Sequence, residues 1–297
     1  MKALQTHHSS EEQSIRNSQV LTMIGTALGK AGVILVLVFF FLIAAFPLIW
    51  LFISSLKTNL ELQVSPFTLP KVPQWGNYGN ALKMANLPAL FLHSIYVAFG
   101  AVFLNLFVTS LAGFVLSREQ FRGRDAIHTV LTAGVLVPII SFMVPYFTLI
   151  TKARLYDNLL ALIIVYSSIN IPVSMFLVTA FMRSIPKEME EAAVIDGCSI
   201  LQRYTKIVLP LAQTGLVTAG TFCFIYAWNE FIMALLLTSS SSSRTLQLGI
   251  RFFTSQFVTD YTSMYAAIMI SIIPSIALYT MLHNRIISGL TAGAVKG

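Results

Sequence analysis

The sequence predicts an all-α membrane protein with six transmembrane helices. Of its 297 residues, 56% are hydrophobic and only 10% are charged. A soluble domain carries roughly 25% charged residues, because its surface must face water. Six uncharged runs are each longer than the roughly 20 residues that an apolar helix needs to cross the hydrocarbon core. Composition and run length together exclude an ordinary soluble domain.

The positions of the charged residues predict where the helices lie and how they are oriented. The helices are expected near residues 31–53, 94–116, 127–150, 159–181, 208–236 and 262–284. An even number of crossings places both termini on one side of the membrane. If that side is cytoplasmic, it holds 12 of the 19 Lys and Arg residues, in keeping with the positive-inside rule. The predicted topology is therefore N-in, C-in, and the net charge of +7 reflects this topology rather than nucleic-acid binding.

This topology divides the chain into three segments. Residues 1–30 form a cytoplasmic N-terminal segment, of which residues 1–20 are polar and expected to be loosely ordered. Residues 31–284 form the transmembrane domain, with a cytoplasmic loop at 182–207, and residues 285–297 form a cytoplasmic tail. No cleavable signal is expected, because the first apolar run is long enough to span and no small-residue cleavage pattern follows it.

Metal, nucleotide and catalytic sites are not expected in this chain. The glycine-rich stretch "GTALGKA" has three residues between its glycines, where a phosphate-binding loop has four, and Ala31 replaces the required Ser or Thr. Cys and His residues do not show zinc-type spacing. Ser, His and carboxylate residues do not come together on one recognisable scaffold, as a hydrolase would require. Cys198 and Cys223 lie in the loop and in helix five, so a disulfide framework is not expected either.

The cytoplasmic loop between helices four and five is charged where its surroundings are apolar, and its pattern begins with a short helix. Ser184 is expected to cap this helix, and Pro186 suits its first turn. Acidic side chains then favour the positive end of the helix dipole. They are Glu188, Glu190 and Glu191.

A turn and a second helix are predicted to follow. Gly197 is expected to end the first helix, Ser199 to cap the second and Pro210 to fit the first turn of helix five. The result is an amphipathic elbow, which offers a docking surface to a cytosolic partner. The residues available for packing on its apolar side are Met189, Ala192, Ala193 and Ile195.

Seven residues of this elbow stand at the spacing of a known signature, "EAA" followed by Gly and then by "IxLP". They are Glu191, Ala192, Ala193, Gly197, Ile207, Leu209 and Pro210. In these positions the chain resembles the permease subunits of bacterial ATP-binding-cassette importers.

Four further stretches are similar to the carbohydrate branch of that family, and within it to the maltose-type (MalG-like) inner membrane subunits. They are "NYGNAL" at 77–82, "AWNEF" at 227–231, "RTLQLG" at 244–249 and "GLTAGAVKG" at 289–297. The pair His93-Ser94 departs from this branch, which usually has Asn-Ser there.

The resemblance implies a subunit of a sugar or oligosaccharide importer in the bacterial cytoplasmic (inner) membrane. Such a subunit pairs with a second permease, sits on two ATPase subunits and receives sugar from an extracytoplasmic solute-binding protein. ATP and Mg²⁺ bind to the ATPase partners, so this chain is not expected to be an enzyme or to bind a cofactor. The residues implied in ATPase coupling are Glu190, Glu191, Ala192, Ala193, Asp196, Gly197, Ile207, Leu209 and Pro210.

Two other transport functions remain open. The same importer class includes permeases for polyols, peptides and amino acids, because the elbow signature is shared across these cargoes. A secondary transporter would need coupling ions and ionisable groups within the membrane. Between the ends of the predicted spans Glu230 is the only acid, which makes this alternative the weaker one.

Glu230 is expected to face a water-filled cavity or a bonded partner rather than lipid, because it lies within the membrane. One hypothesis is that Glu230, Asn229 and Tyr226 line the translocation path. The alternative is that Glu230 holds the bundle together by hydrogen bonds between helices. Prolines inside helices three, four and six either kink the path or reflect the general frequency of Pro in membrane helices.

The tail after helix six is expected to be either a frayed end or a functional segment. Its small residues, with Gly289, Gly293 and Gly297 among them, would allow an extended tail to enter a narrow gap. The hypothesis is that the tail inserts between or against the ATPase subunits and helps to time their closure.

Overall fold

The structure, a computed structural model, describes residues 2–84, 86–253 and 260–294, and side chains are described for residues 29–83, 86–251, 253 and 260–283. Regular structure in these residues is helical, and they contain no strand. The first helices are α1 (Lys2–Ser55), α2 (Asn59–Val64), α3 (Gly76–Met84), α4 (Leu87–Arg118), α5 (Arg124–Ala133), α6 (Met143–Lys152) and α7 (Leu159–Ser184). The rest are α8 (Glu188–Ile195), α9 (Ile200–Gln202), α10 (Leu209–Leu211), α11 (Gln213–Asn229), α12 (Ile232–Leu237), α13 (Leu246–Ile250) and α14 (Tyr261–Ala294).

Four described helical segments are long and apolar enough to cross a membrane, and two bent pairs bring the number to six if each pair is one span. The four segments are Gly29–Ser55, Leu87–Arg118, Leu159–Ser184 and Tyr261–His283. The bent pairs are Arg124–Leu136 with Ile139–Lys152, at 106°, and Ile200–Leu211 with Gln213–Asn229, at 74°. The prediction of an all-helical chain with apolar spans is confirmed, but helices three and five are not straight.

Several predicted boundaries are wrong. The N-terminal segment is helical from Lys2, not loosely ordered, and α4 begins at Leu87 rather than near residue 94. Pro88 stands in the first turn of α4, where its missing N–H costs nothing, and Leu87 is buried, so packing extends this helix. At the other terminus α14 continues through Ala294. The segment predicted as an extended tail is therefore helical over residues 285–294.

The break in helix three lies at Pro138. The pyrrolidine ring disfavours helical backbone in the residue before it, and Val137 is extended, with φ −86° and ψ 124°. Short 3₁₀ turns, Gly134–Leu136 and Ile139–Phe142, flank the break. A Cβ on Gly134 would lie 2.7 Å from Cγ of Pro172, so glycine permits the close approach of this break to α7.

Helix five is broken twice, where a single helix over 208–236 is predicted. A π-helical segment, Arg203–Val208, precedes a bend at Ala212, and α11 then ends before Glu230, whose backbone is extended. Pro210 has no N–H to donate to the carbonyl four residues earlier, which favours irregular bonding in this turn. Pro172 and Pro274, in contrast, lie inside α7 and α14, which continue through them.

The core is formed by α4, α7 and α11, which pack against one another. Close approach depends on glycine: a Cβ on Gly113 would meet Val178 at 2.9 Å, and one on Gly215 would meet Phe181 at 2.5 Å. Small residues at helix contacts are typical of membrane bundles. In contrast, the large apolar side chains of α1 are exposed over most of the described length. Near its end the Trp50 ring lies 5.6 Å from that of Tyr265 on α14, at an interplanar angle of 59°.

Candidate functional site

The first limb of the elbow is α8, which begins after Pro186 with Lys187 as its N-cap. Ser184 does not cap it, contrary to the prediction. As the last residue of α7, Ser184 donates its hydroxyl to the carbonyl of Phe181 at 2.8 Å. The carbonyl of Lys187 instead accepts from the amide of Glu190, at 2.9 Å.

The turn of the elbow has the expected chemistry. Gly197 has φ +79°, and an added Cβ would meet nothing within 4 Å, so the need for glycine comes from the backbone conformation alone. The amide of Cys198 closes the end of α8 by donating to Ala193, at 2.9 Å. Ser199 then caps α9 in a capping box with Gln202, as the sequence predicts.

The face of α8 that turns into the protein is not its apolar side. Ala193 is buried, but Met189 and Ile195 are 47% and 86% exposed, and Ala192 is also exposed. The residue that points into the protein with Ala193 is Glu190, at 5% exposure. Three of the four residues named as the apolar side of the elbow are thus open to a partner, whereas the surface opposite α8 offers Glu190 a charged partner.

That partner is an ion-pair cluster that joins four elements. Arg118 Nε, at the end of α4, lies 2.9 Å from Glu190 Oε1, and the two side chains are 3% and 6% exposed. Arg203 Nη1, in the π-helical segment, lies 3.7 Å from the second oxygen of Glu190, and its Nη2 lies 2.7 Å from Glu119 Oε1. Arg118 also donates to the carbonyl of Ile185, after α7, at 3.0 Å.

Beside this cluster a hollow of about 310 Å³ opens to the surface of the chain. Its lining residues are Arg118, Lys187, Glu190, Glu191, Val194, Ile195 and Arg203. Glu191 is exposed there, and Asp196 is exposed at the end of α8, whereas the carboxylate of Glu190 is paired within the chain. Two adjacent glutamates thus have different environments. Sequence reasoning missed the partners Arg118, Glu119 and Arg203, whose visible signal was charge at the ends of apolar runs.

The second limb of the elbow is held by aromatic and hydroxyl contacts to α4. The hydroxyl of Tyr204 lies 2.8 Å from that of Ser110, and its ring packs 5.3 Å from Phe114. Three residues of the signature lie in or just after the π-helical segment: Ile207 and Leu209 are half-buried and Pro210 is exposed.

The second predicted group lies at the break between α11 and α12. The Glu230 carboxylate accepts from the hydroxyl of Tyr166 on α7 at 2.6 Å and from the amides of Met233 and Ala234 at 2.7 and 3.1 Å. Tyr226 is half-buried, and its ring centroid lies 5.9 Å from that of Tyr166. Glu230 thus makes a hydrogen bond between helices, as expected if it helps to hold the bundle together.

The remaining predicted residues are not brought to this group. Asn229 is exposed and donates its side-chain amide to the carbonyl of Ile225 on its own helix, at 2.8 Å. In the tail, Gly289 and Gly293 belong to the helical backbone of α14, and Gly297 lies outside the described residues. Among the residues described, no group of three His, Cys, Asp or Glu is arranged to hold a metal ion.

The end of the bundle away from the elbow, here called the far end, is organised by a third carboxylate. Asp157 accepts from the amides of Ser239 and Ser240 at 2.7 and 2.9 Å and from the hydroxyl of Ser243. Burial acts to raise the pKa of Asp157, but these hydrogen bonds outweigh it and hold the pKa well below its ordinary value.

The same far-end loop is tied to the beginning of α4. The His93 ring nitrogen Nδ1 lies 3.0 Å from the carbonyl of Arg244, and Ser94 Oγ accepts from the amide of Leu246 at 2.8 Å. Thus α4 contacts the elbow through Arg118 and the far-end loop through His93 and Ser94.

Fold and elbow together define the class of protein. The chain belongs to the family of binding-protein-dependent transport system inner membrane components, whose family model matches residues 105–290. It is thus a permease subunit and a multi-pass membrane protein, and the resemblance inferred from its elbow is confirmed. A bacterial ABC transporter involved in import of the acidic polysaccharide alginate has a similar fold, with a TM-score of 0.73 at 23% identity over 91% of this chain and 97% of the other.

Curated relatives are more similar in sequence. The chain is 38% identical over 257 residues to the putative ABC transporter permease protein ORF2 of Caldicellulosiruptor sp. (strain Rt8B.4), covering 86% of this chain and 93% of that protein. It is 35% identical to the sulfoquinovosyl glycerol transport system permease protein SmoH of Agrobacterium fabrum, over 85% and 89% of the two chains. Identity to the trehalose/maltose transport system permease protein MalG of Thermococcus litoralis is 33%, over 86% and 93%.

Proposed function

We propose that this chain is a membrane subunit of an ATP-driven importer of sugars or oligosaccharides in the bacterial cytoplasmic (inner) membrane. Relatives named for sulfoquinovosyl glycerol and for trehalose and maltose support the sugar cargo. ATP and Mg²⁺ bind to two ATPase partners, and this chain performs no covalent chemistry. Its role is to convert closure of the ATPase subunits into alternating access, as a two-state element whose equilibrium the partners shift.

The elbow is the observation that carries this proposal. Its α8 exposes Met189, Glu191 and Ile195, while Glu190 holds the helix to the rest of the chain. An exposed surface with apolar and acidic groups on a fixed helix suits docking into a cleft of a partner protein. In this proposal Glu191 makes a charge-assisted contact with a basic residue of an ATPase subunit.

The same proposal includes six crossings with both termini in the cytoplasm. Each bent pair then counts as one span. The elbow end carries the basic residues expected of a cytoplasmic surface, among them Arg118, Arg122, Arg124, Arg183 and Lys187. The far end then faces the extracytoplasmic solute-binding protein.

A second permease subunit fits the apolar surface that the chain leaves uncovered. The large apolar residues of α1 between residues 33 and 43 are exposed, as are Leu136, Ile140 and Val144 around the break in helix three. Lipid covers one part of such a surface, and in this proposal the partner permease covers another, because the translocation path needs walls from both subunits.

The test of the proposal is transport by a reconstituted complex in proteoliposomes. The chain is combined with its second permease, its ATPase subunits and a panel of binding proteins that carry sugars, polyols, peptides or amino acids. We expect ATP-dependent uptake with sugar-loaded binding proteins only. Uptake restricted to another cargo would replace the sugar assignment, and uptake driven by an ion gradient without ATP would contradict the importer class.

Variants of Gly197 test the role of the elbow. Gly197→Val places a β-branched residue at φ +79°, so the turn is strained, and we expect the permease to insert but to lose its ATPase subunits and ATP-driven uptake. Gly197→Asn is the matched control, because Asn tolerates the left-handed conformation, and it should retain most activity. Equal uptake in both variants would show that the turn geometry does not serve docking.

A role of Glu230, with Tyr226 and Asn229, in lining the path is part of the proposal and has its own test. Glu230 is half-buried, so part of the residue is accessible. We expect Glu230→Gln to alter the apparent sugar affinity or rate of uptake in assembled complex. Unchanged assembly, affinity and uptake would leave only the hydrogen-bonding role.

The tail is proposed to contact the ATPase subunits as a helical extension of α14. Ten residues of helix, 285–294, reach about 15 Å, less than half the reach of an extended chain. Removal of residues 290–297 should change the ratio of uptake to ATP hydrolysis. A truncated complex with both rates at full-length values would make the tail a dispensable end.

A further inference from the structure

The ion pair between Arg118 and Glu190 has no place yet in the proposed function. Both side chains are almost completely buried, at 3% and 6% exposure. Burying two charges costs several kcal/mol per ion, and a well-packed apolar pair of similar volume usually stabilises a protein at least as well. The charged pair therefore calls for an explanation by geometry rather than by stability.

The guanidinium of Arg118 makes two contacts of different kinds. Its Nε lies 2.9 Å from Glu190 Oε1 on α8, as a close ion pair without hydrogen-bond geometry, and its Nη2 donates to the carbonyl of Ile185 at 3.0 Å. The hydrogen bond sets the position of the Ile185 carbonyl, and the buried ion pair holds the Glu190 carboxylate against the same guanidinium, because separating two buried opposite charges is costly. The beginning of α8 and the residue that follows α7 are thus fixed relative to the last residue of α4.

A second arginine extends this arrangement to helix five. Arg203 Nη1 lies 3.7 Å from Oε2 of Glu190, and Arg203 Nη2 lies 2.7 Å from Oε1 of Glu119, the residue after α4. Its position in the π-helical segment places it just before the bend into α11. The cluster therefore connects α8 to the end of α4 and to the start of helix five.

From these contacts we propose that Arg118 and Glu190 form a brace, supported by Arg203, that makes α8, the end of α4 and the start of helix five move as one body. Glu190 is then a positioning residue and not a docking contact, in contrast to its exposed neighbour Glu191. This inference rests on the proposed function, because the brace acts on the displacement of α8 by the ATPase subunits.

The contacts that α4 makes at the far end indicate which part of the chain such a displacement would move. Ser94 and His93 bond the far-end loop at Leu246 and Arg244. The 25 residues from Ser94 to Arg118 form continuous helix, and at a rise of about 1.5 Å per residue they span about 36 Å. A single continuous helix thus joins the brace to the loop at the opposite end, where the binding protein is placed by the proposed function.

The experiment uses the complete complex in proteoliposomes and compares Glu190→Gln with Glu191→Gln. Three quantities are measured: the amount of ATPase subunit retained, the stimulation of ATP hydrolysis by loaded binding protein, and sugar taken up per ATP hydrolysed. For Glu190→Gln we expect retention within about two-fold of the unaltered complex, and a roughly ten-fold loss of stimulation and of uptake per ATP. For Glu191→Gln we expect reduced retention with unchanged uptake per ATP in the complexes that form.

Two further variants keep the test decisive if Glu190→Gln assembles poorly. The double variant Arg118→Gln with Glu190→Gln leaves no unpaired charge, so it should assemble and show the same loss of uptake per ATP. Arg118→Lys keeps the charge but loses the planar guanidinium with its several donors. Its loss of uptake per ATP should be smaller than that of the double variant.

The brace is overturned if both Glu190→Gln and the double variant lose ATPase subunits in parallel with uptake, because Glu190 would then be a docking contact. It is also overturned if Glu190→Gln or the double variant couples uptake to ATP as well as the unaltered complex. Absence of ATP-driven uptake in the unaltered complex would instead contradict the proposed function itself.

Discussion

Glu190 in the elbow and Glu230 in helix five are two carboxylates that each join separate helices, and they are satisfied in different ways. Glu190 is held by cations, with Arg118 at 2.9 Å and Arg203 at 3.7 Å. Glu230 is held by neutral donors, which are the Tyr166 hydroxyl and two backbone amides.

The difference follows from what lies beside each carboxylate. Basic residues are frequent at the ends of apolar helices, so the buried carboxylate of Glu190 finds arginines there. The break after α11 instead supplies amides that have no partner in their own turn. The carboxylate at the elbow is therefore paired with arginines, whereas the one at the helix break is paired with neutral donors.

The largest expected effect is in the elbow. Arg118→Ala leaves Glu190 buried with one distant cation, and we expect the free energy of unfolding to fall by about 3 kcal/mol. Unfolding of the purified permease by SDS in mixed micelles measures this loss. Arg122→Ala removes an exposed arginine and is the control, with an effect below about 0.5 kcal/mol. Equal losses in the two variants would show that the buried ion pair contributes no more to stability than an exposed arginine does.

A smaller loss is expected at the helix break. Glu230→Ala leaves the Tyr166 hydroxyl and two amides without their acceptor, and half-burial lets water replace part of the bonding. We expect a loss of about 2 kcal/mol, and about half of that for Glu230→Gln, which keeps one carbonyl oxygen. The same SDS titration compares them. If Glu230→Gln costs as much as Glu230→Ala, the charge and not the acceptor geometry stabilises the break.

Removal of a single donor separates the two kinds of site further. Tyr166→Phe deletes the hydroxyl that bonds Glu230 and should cost about 1 kcal/mol. Tyr226→Phe is the matched control, because its hydroxyl has no hydrogen-bond partner among the described residues, and it should cost less. The comparison between the two clusters breaks down if Tyr166→Phe has no effect, since Glu230 would then depend on its amides alone.

The smallest effect is expected for Asp157, a carboxylate with neutral donors outside the spans. Its pKa is lowered by the Ser239, Ser240 and Ser243 hydrogen bonds against the effect of burial. Its contribution to stability is therefore present above about pH 4, the ordinary pKa of Asp, and is lost as the pH falls through the lowered value. Asp157→Ala should cost about 1 kcal/mol or less from pH 5 to 8, without pH dependence over that window. A loss that appears only above pH 6 would contradict the lowered pKa.

Much of the elbow could be predicted from local sequence. Gly197 and Ser199 act through backbone conformation and hydrogen bonds to near neighbours, so their roles depend on a few adjacent residues. The inward face of α8 was not predicted, because local sequence does not show which side of a short helix meets the rest of the chain. The partner of Glu190 is Arg118, 72 positions earlier in the chain, and nothing local to either residue indicates the pairing.

The breaks in helices three and five show a similar limit. Pro138 was visible, yet Pro172 and Pro274 were equally visible and lie in continuous helices. Whether a proline ends a helix depends on whether other elements satisfy the freed carbonyls. At Glu230 the break depends on Tyr166 of another helix as well as on amides of its own segment.

The sequence by itself determined that this protein is helical and membrane-spanning, because run length and scarcity of charge decide how a chain partitions into a bilayer. It also determined the family, because the elbow signature lies within 20 residues of continuous chain. Only the tertiary structure decided that Glu190 turns inward, that Glu230 joins α7 to the break in helix five, and that α4 connects the elbow to the far end. These features depend on contacts between residues far apart in the chain, whose free energies are set by burial and geometry in the folded state.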